Sequence, residues 1–290
     1  MSNPNEAPLH VVREAVARAL AEDLTPLGDL SAGLVPAHHL ATAAFVPRQD
    51  GVLAGRQCAE EAFRQVDPSL EVRWTAADGD ALAARQPFGT VTGPLAPILT
   101  AERTALNFVG HLSGIATAVR SYVDAAAAQG SARVWDTRKT VPGLRSLQKA
   151  AVRAGGGANH RGNLSEWIML KDNHLTGTSI TAAVELARQR WPGRTVHVEA
   201  ERMDQVEEAV LAGADAILLD NMSPAEVAAA VRRTQELCGD GRRPLLEASG
   251  GISLETVGAY SAAGVDLISI GRLTNSVSVL DIGLDVVVAP

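Results

Sequence analysis

The sequence predicts an α/β barrel preceded by an α+β domain, on three observations. After residue 130, short apolar runs alternate with amphipathic runs, and six of the apolar runs read as strands of successive βαβ units on a parallel sheet. Each of those runs ends in a polar or glycine residue suited to hold a ligand, and barrel strands converge at their C-terminal ends on one mouth. Before residue 110 the order is instead helix, strand, strand, helix, with turn signals between. Six units favour a closed barrel, although periodicity alone also fits a doubly wound sheet.

Residues 11–23 show the pattern of an amphipathic helix. Residues 41–47 and 51–54 are strand-like and flank Arg48-Gln49-Asp50-Gly51, a hairpin-type turn signal. Residues 59–66 read as helix, and 70–74 and 90–93 as strands around the Asp78-Gly79-Asp80 turn. A long helical pattern covers 97–128, with Ser113-Gly114 as a soft point where the domain boundary is placed. The expected division is 1–112 for an N-terminal domain, 113–274 for the barrel, and 275–290 for a C-terminal segment returning to the N-terminal domain. Barrel strands are expected at 133–137, 167–171, 196–200, 216–220, 245–249 and 267–271. Helices are expected at 181–190, 203–212, 225–237 and 254–263.

Composition narrows the partners. The chain carries a net charge of −7, yet residues 131–161 hold seven Lys/Arg against one acid, Asp136. An acidic chain that gathers its cations in so short a stretch is suited to a small polyanion; a nucleic-acid binder is usually basic overall. Aromatics make up only 3%, so Ala, Val and Leu are expected to fill the core. No run of 18 apolar residues occurs, so no membrane span is expected. Residues 1–5 are polar and lack a signal pattern, and Cys58 and Cys238 belong to no CxxC, so a reduced, cytoplasmic protein is expected. The histidines show no HExxH-type spacing, so no zinc site is expected.

The chemistry-bearing residues fall at the strand ends. Residues 136–145 run Asp-Thr-Arg-Lys-Thr-Val-Pro-Gly-Leu-Arg, placing Thr137, Arg138 and Lys139 between a strand and a helix, where an anion is well received. Gly155-Gly156-Gly157 precedes Asn159-His160-Arg161, and an arginine fork matches a carboxylate through two parallel bonds. Lys171 ends the next strand. With Glu199 and Asp220 it forms either a structural ion-pair network or a site for a ribose and a metal-bound diphosphate. Ser249-Gly250-Gly251 and Ile270-Gly271 look like phosphate cradles, because glycine lets successive N–H groups face one anion. Arg103, beside Glu102 in an apolar helical run, reads in isolation as half of a surface charge pair.

These motifs together resemble the quinolinate phosphoribosyltransferase family, a type II phosphoribosyltransferase family. The resemblance runs through Asp50 to Gly55, Glu102 to Asn107, His111 to Thr117, the 136–145 block, Gly155 to Arg161 and Lys171-Asp172-Asn173-His174. It continues through Leu219-Asp220-Asn221-Met222, Ala248 to Ile252 and Leu280-Asp281. It implies an N-terminal open-faced α/β sandwich and an incomplete α/β barrel, in a homodimer with shared active sites and possible higher assembly. It implies quinolinate and phosphoribosyl pyrophosphate as substrates, Mg2+ as cofactor, and nicotinate mononucleotide, pyrophosphate and CO2 as products, in the synthesis of NAD.

By the same resemblance, Arg103, Arg138, His160, Arg161 and Lys171 line the quinolinate pocket, Arg103 reaching into the partner's barrel. Lys139, Glu199, Asp220, Ser249, Gly250, Gly251 and Gly271 hold the phosphoribosyl group, and Thr137, Ile270, Arg272 and Asn275 add substrate contacts. Lys139, Lys171, Glu199 and Asp220 are the expected catalytic set; Glu199 and Asp220 also face Mg2+, largely through substrate phosphates. The chain departs from the family pattern at His197, where a Glu is usual, and at Arg272 and Asn275, where Ala and His are usual. Those departures keep two alternatives open: a paralogue acting on another pyridine carboxylate, and a non-catalytic binding relative.

Overall fold

A computed structural model describes residues 4–288. Residues 1–3 of the polar N-terminal stretch, and the last two residues of the C-terminal segment, lie outside the described residues. In chain order the elements begin with helix α1 (Leu9–Leu24), strands β1 (Leu40–Pro47) and β2 (Gly51–Val52), and helix α2 (Arg56–Val66). Strands β3 (Glu71–Trp74), β4 (Ala81–Leu82) and β5 (Gly89–Pro94) lead into helix α3 (Leu95–Ala127). Then come β6 (Arg133–Trp135), α4 (Arg145–Ala154), β7 (Ile168–Leu170), α5 (Ile180–Arg190), β8 (Val196–Ala200), α6 (Met203–Leu211) and β9 (Ala216–Asp220). The chain closes with α7 (Pro224–Cys238), β10 (Leu245–Ser249), α8 (Val257–Ala262), β11 (Leu267–Ser269), α9 (Arg272–Asn275) and β12 (Ile282–Val288).

Two compact units arise, and each draws on separated stretches of chain. One comprises Met1–Arg120, Thr140–Gly156 and Arg272–Pro290; the other comprises Ser121–Lys139 and Gly157–Gly271. The sequence boundaries at 112/113 and 274/275 divide the chain serially, whereas the units interleave, with α4 in the first and most of the barrel stretch in the second.

The first unit is built on an antiparallel sheet of order β12-β1-β5-β3. The C-terminal strand pairs with β1 along seven positions, from Ala41 with Val288 to Pro47 with Ile282. Aromatic residues pack on this sheet, Phe45 against Trp74 at 4.8 Å and against Phe63 at 6.0 Å between ring centres. The expected hairpin at 48–51 is not formed. Strand β2 leaves the sheet and pairs with β4. Arg48 is held by the C-terminal strand: its N–H donates to Asp281 O at 2.8 Å and its guanidinium to Asp285 at 2.6 Å. Asp50 accepts from Ala84 N at 2.8 Å, so the turn residues serve two different neighbours.

The expected soft point at Ser113-Gly114 is also absent, since α3 runs unbroken for 33 residues. Pro97 sits in its first turn, where a missing N–H costs nothing. Buried Ser113 Oγ accepts from Ala54 N at 3.0 Å and donates to Ala54 O at 3.1 Å. A Cβ on Gly114 would lie 2.1 Å from Ser278 O, so glycine there serves a close approach and not a bend.

The second unit carries six parallel strands in the order β6-β11-β10-β9-β8-β7, with β6 and β7 at the two edges. This is a barrel-like sheet left open between its first two strands. Strands β8, β9 and β10 span the residues that the alternating pattern predicts; β6 and β11 end two residues earlier than expected, and β7 is one residue shorter at each end. Ser223 caps α7 by accepting from Glu226 N, and Glu226 returns a carboxylate to Ser223 N, with Pro224 at the first helical position. Among the described residues no helix is long and apolar enough to cross a membrane.

Candidate active site

Strand register brings the site together within the second unit. Trp135, Ser269, Ser249 and Asp220 lie side by side across β6, β11, β10 and β9. The residues one to four positions beyond this rung therefore follow the same end of the sheet: Thr137, Arg138 and Lys139, then Ile270 and Gly271, then Gly250 and Gly251. Glu199 lies near the same end of β8 and Lys171 just past β7. Ile270 N donates to Trp135 O at 2.9 Å, and Lys139 N donates to Thr137 Oγ1 at 3.0 Å, so the cationic turn is braced on both sides. Gly250 and Gly251 both take positive φ (+94° and +59°), which side chains disfavour.

The loop bearing His160 and Arg161 is pinned to β6 by a buried acid. Asp136 accepts His160 N at 2.8 Å and Asn159 Nδ2 at 2.9 Å. Asp136 N donates to Ala158 O, and Ala158 N to Val134 O, extending the sheet edge. The single acid in the basic stretch is thus structural.

The basic stretch is divided between the two units. Arg145, Lys149 and Arg153 belong to α4 in the first unit, where Arg145 Nε donates to Thr140 Oγ1 and Arg153 to Glu6 O. Arg138, Lys139 and Arg161 are the members at the strand ends of the second unit, with Arg133 at the opposite end of β6.

A cluster of rings surrounds His160. Trp167 lies 5.0 Å from it and stacks on His197 at 4.9 Å with 20° between planes; Trp135 meets it edge-on at 5.7 Å. His160 Nε2 is 3.7 Å from Glu247 Oε1, and Glu247 is fully buried on β10. Burial pushes the Glu247 carboxyl up to about 7, against the opposing pull of the Ser269 hydroxyl and the Lys171 charge, while Glu199 adds to the rise. Burial lowers His197 to about 4, with Asp215 raising it and Arg161 lowering it further, so its imidazole is neutral. Arg161 is depressed first by burial and then by Arg138.

Several polar atoms in this region are buried without a hydrogen-bond partner among the described residues: Trp135 Nε1, Trp167 Nε1, Arg161 Nε and His197 Nδ1. Such atoms are costly unless a ligand or water meets them. They gather around Arg161, a buried cation.

Lys171 Nζ donates to the Glu199 carboxylate, and Asp220 accepts from Asn221 Nδ2 at 2.8 Å. These two carboxylates are hard oxygen donors of the kind Mg2+ takes alongside phosphate oxygens. His160, His197 and Glu247 also offer ligand atoms within 4.8 Å of one another, but imidazole does not suit Mg2+ and Arg161 is close enough to depress His197, so no metal is assigned there.

Three expected site residues, Arg103, Arg272 and Asn275, belong to the first unit. Arg103 is exposed and makes no ion pair with Glu102, so the surface-pair reading of it fails. Asn275 Oδ1 accepts from Ser276 Oγ at 2.7 Å. Sequence reasoning missed Trp135, Trp167 and Glu247. The signal for Glu247 was present, a lone acid inside the apolar run Leu245-Leu246-Glu247-Ala248.

Comparison with known proteins agrees with this architecture. The family profile described as quinolinate phosphoribosyl transferase, N-terminal domain, matches residues 29–113, and the corresponding C-terminal domain profile matches residues 115–285. The nicotinate-nucleotide pyrophosphorylase (carboxylating) of Mycobacterium leprae is 42% identical over 281 residues, covering 94% of this chain and 96% of that one. A probable nicotinate-nucleotide pyrophosphorylase of Bacillus subtilis is 40% identical over 262 residues, covering 89% and 88%. The solved structure of the Francisella tularensis nicotinate-nucleotide pyrophosphorylase superposes with a TM-score of 0.92 at 34% identity, covering 99% of this chain and all of that one.

Proposed function

Because the chain belongs to the quinolinate phosphoribosyltransferase family, we infer that it transfers the phosphoribosyl group of phosphoribosyl pyrophosphate to quinolinate and decarboxylates the adduct. The products are nicotinate mononucleotide, pyrophosphate and CO2, and the pathway served is NAD biosynthesis. The observation that supports this best is the group of buried polar atoms without partners on Trp135, Trp167, Arg161 and His197, close to the strand ends that carry Arg138 and Lys139. A pyridine with two adjacent carboxylates offers the charge and the acceptors that such a group lacks.

Each group then has a task. Arg138, Arg161 and Lys171 hold the dicarboxylate. Lys139, with the backbone of Ser249, Gly250, Gly251 and Gly271, holds the phosphate end of the ribosyl donor, and Thr137 and Ile270 brace that turn. As pyrophosphate leaves, positive charge develops on the ribose carbon, and the carboxylates of Glu199 and Asp220 stabilise it. The ring nitrogen attacks that carbon and becomes cationic. The cationic ring then accepts the electron pair released as the neighbouring carboxylate departs, so no covalent enzyme nucleophile is needed. Glu199 and Asp220 are the residues that would hold Mg2+, which would supply charge neutralisation of the leaving pyrophosphate. The working form is a homodimer in which Arg103 completes the partner's site, with Arg272 offsetting the charge that Asn275 does not supply.

The test is an acceptor panel with phosphoribosyl pyrophosphate and Mg2+. Quinolinate should be the preferred acceptor and nicotinate poor, because one carboxylate cannot meet both the buried Arg161 and the half-buried Arg138. Equal use of nicotinate, or turnover of another pyridine carboxylate in place of quinolinate, contradicts the assignment and favours the paralogue.

A further inference from the structure

The reaction ends with a need that the residues above do not meet. When CO2 leaves, the bond from C2 to the carboxyl carbon breaks and its electron pair stays on C2. That carbon must then take a proton, close to the buried His160, Arg161 and Glu247.

We propose that His160 and Glu247 form a buried proton relay that protonates C2 after decarboxylation. The inference rests on the quinolinate reading above. Its geometric basis is the placement of the pair. His160 is 8% exposed and Glu247 is fully buried, with Oε1 3.7 Å from His160 Nε2. A closure of under about 1 Å makes this a hydrogen bond, and such contacts often tighten only when substrate binds.

The imidazole is fixed from three directions. Asp136 holds its backbone N–H at 2.8 Å, Trp135 meets its edge, and Trp167 packs beside its face. With Nε2 turned to Glu247, Nδ1 faces away from it. The proton on Nδ1 passes to C2, Nε2 takes the proton of the Glu247 carboxyl, and Glu247 is left as carboxylate. Solvent restores that proton before the next turnover, so one proton is consumed per CO2 released.

A fully buried acid has little structural reason to stand at the centre of a parallel sheet unless its proton is used. The charged and titratable groups that face Glu247 are Lys171 and Glu199 from the ends of β7 and β8, His197 of β8, the Ser269 hydroxyl from β11, and His160 itself. Burial outweighs the lysine and holds the carboxyl near 7, so its acid form is present at neutral pH. In this relay Glu247 acts through His160, and His160 is the group that meets the substrate.

Turnover of quinolinate by the wild-type protein and by Glu247→Gln, followed from pH 5.5 to 9, tests the relay. Pyrophosphate and nicotinate mononucleotide are measured separately in single-turnover quench experiments. In the wild type, nicotinate mononucleotide formation should fall as pH rises through about 7, because the acid form is lost. In Glu247→Gln that limb should vanish, and the rate of nicotinate mononucleotide formation should drop on the order of 100-fold. The pyrophosphate burst and both KM values should stay within about threefold, and Glu247→Asp should recover part of the rate. A wild-type profile with no limb near neutrality overturns the relay whether or not the variant folds. So does a Gln variant that keeps wild-type rate, or one that loses pyrophosphate release and raises KM together. Wild-type protein that makes no CO2 from quinolinate overturns the parent reading and the relay with it.

Discussion

Lys171, just past the end of β7, donates its ammonium to the carboxylate of Glu199 on the neighbouring strand β8. The lysine is 42% exposed and the glutamate 10%, so the pair lies at the rim of the sheet and not in its core. Its contribution to stability is small, less than about 1 kcal/mol, because solvent screens the lysine. Lys171→Ala should therefore unfold at nearly the wild-type temperature while losing turnover on the order of 100-fold or more, since a cation for the substrate and a brace for Glu199 go together. Calorimetry paired with steady-state kinetics checks this. A large fall in melting temperature with modest loss of rate would identify a structural ion pair.

Gly271 leaves room for Lys139. A Cβ there would lie 2.8 Å from Lys139 Cδ and 3.6 Å from Thr137 Oγ1. Gly271→Ala should keep the fold, because a flexible lysine stem can yield, but it should displace the ammonium. The KM for phosphoribosyl pyrophosphate should rise between roughly ten- and a hundredfold, with the KM for quinolinate little changed. Equal effects on both substrates would place Lys139 at neither in particular.

His197 makes a pH prediction about stability. Its folded value of about 4 lies below the ordinary 6.5, so the folded state prefers the neutral ring. That contribution is complete above 6.5 and is lost as pH falls through 4; over that window it amounts to about 2–3 kcal/mol. Urea unfolding at pH 7.5 and 4.5 should show a smaller acid loss for His197→Gln than for the wild type, by roughly that amount. Parallel losses in the two proteins would show that His197 is not held neutral by burial.

The architecture was legible where one physical rule decides. Alternation of apolar and amphipathic runs located β8, β9 and β10 residue for residue, because buried parallel strands leave few choices. The polar and glycine residues expected at strand ends do lie there, with Lys171 just past β7, Glu199 next to the last residue of β8, Asp220 ending β9, and Gly250 and Gly271 just past β10 and β11. The hairpin at Arg48 failed because its partner, Asp285, lies at the far end of the chain. Within the basic stretch, α4 assigns Arg145, Lys149 and Arg153 to the first unit and leaves Arg138, Lys139 and Arg161 in the second, a division that local charge density cannot reveal. Trp135 and Trp167 passed unnoticed because aromatic residues in strands usually mean core.

Sharing of the site between subunits is open to complementation. Arg103 belongs to the first unit and Lys171 to the second. Arg103→Ala and Lys171→Ala should each be inactive alone. Unfolded and refolded together in equal amounts, they should recover about a quarter of wild-type activity, since half the dimers are mixed and each mixed dimer keeps one intact site. Activity near zero despite verified mixed dimers would place Arg103 in its own subunit's site.

Quinolinate labelled with 13C at the 2-carboxylate, or separately at the 3-carboxylate, tests the central claim most directly. With phosphoribosyl pyrophosphate and Mg2+, the 2-label should appear wholly as CO2, in step with pyrophosphate, while the 3-label stays in nicotinate mononucleotide. Pyrophosphate released with the 2-label retained in a nucleotide, or no label released at all, would contradict the account.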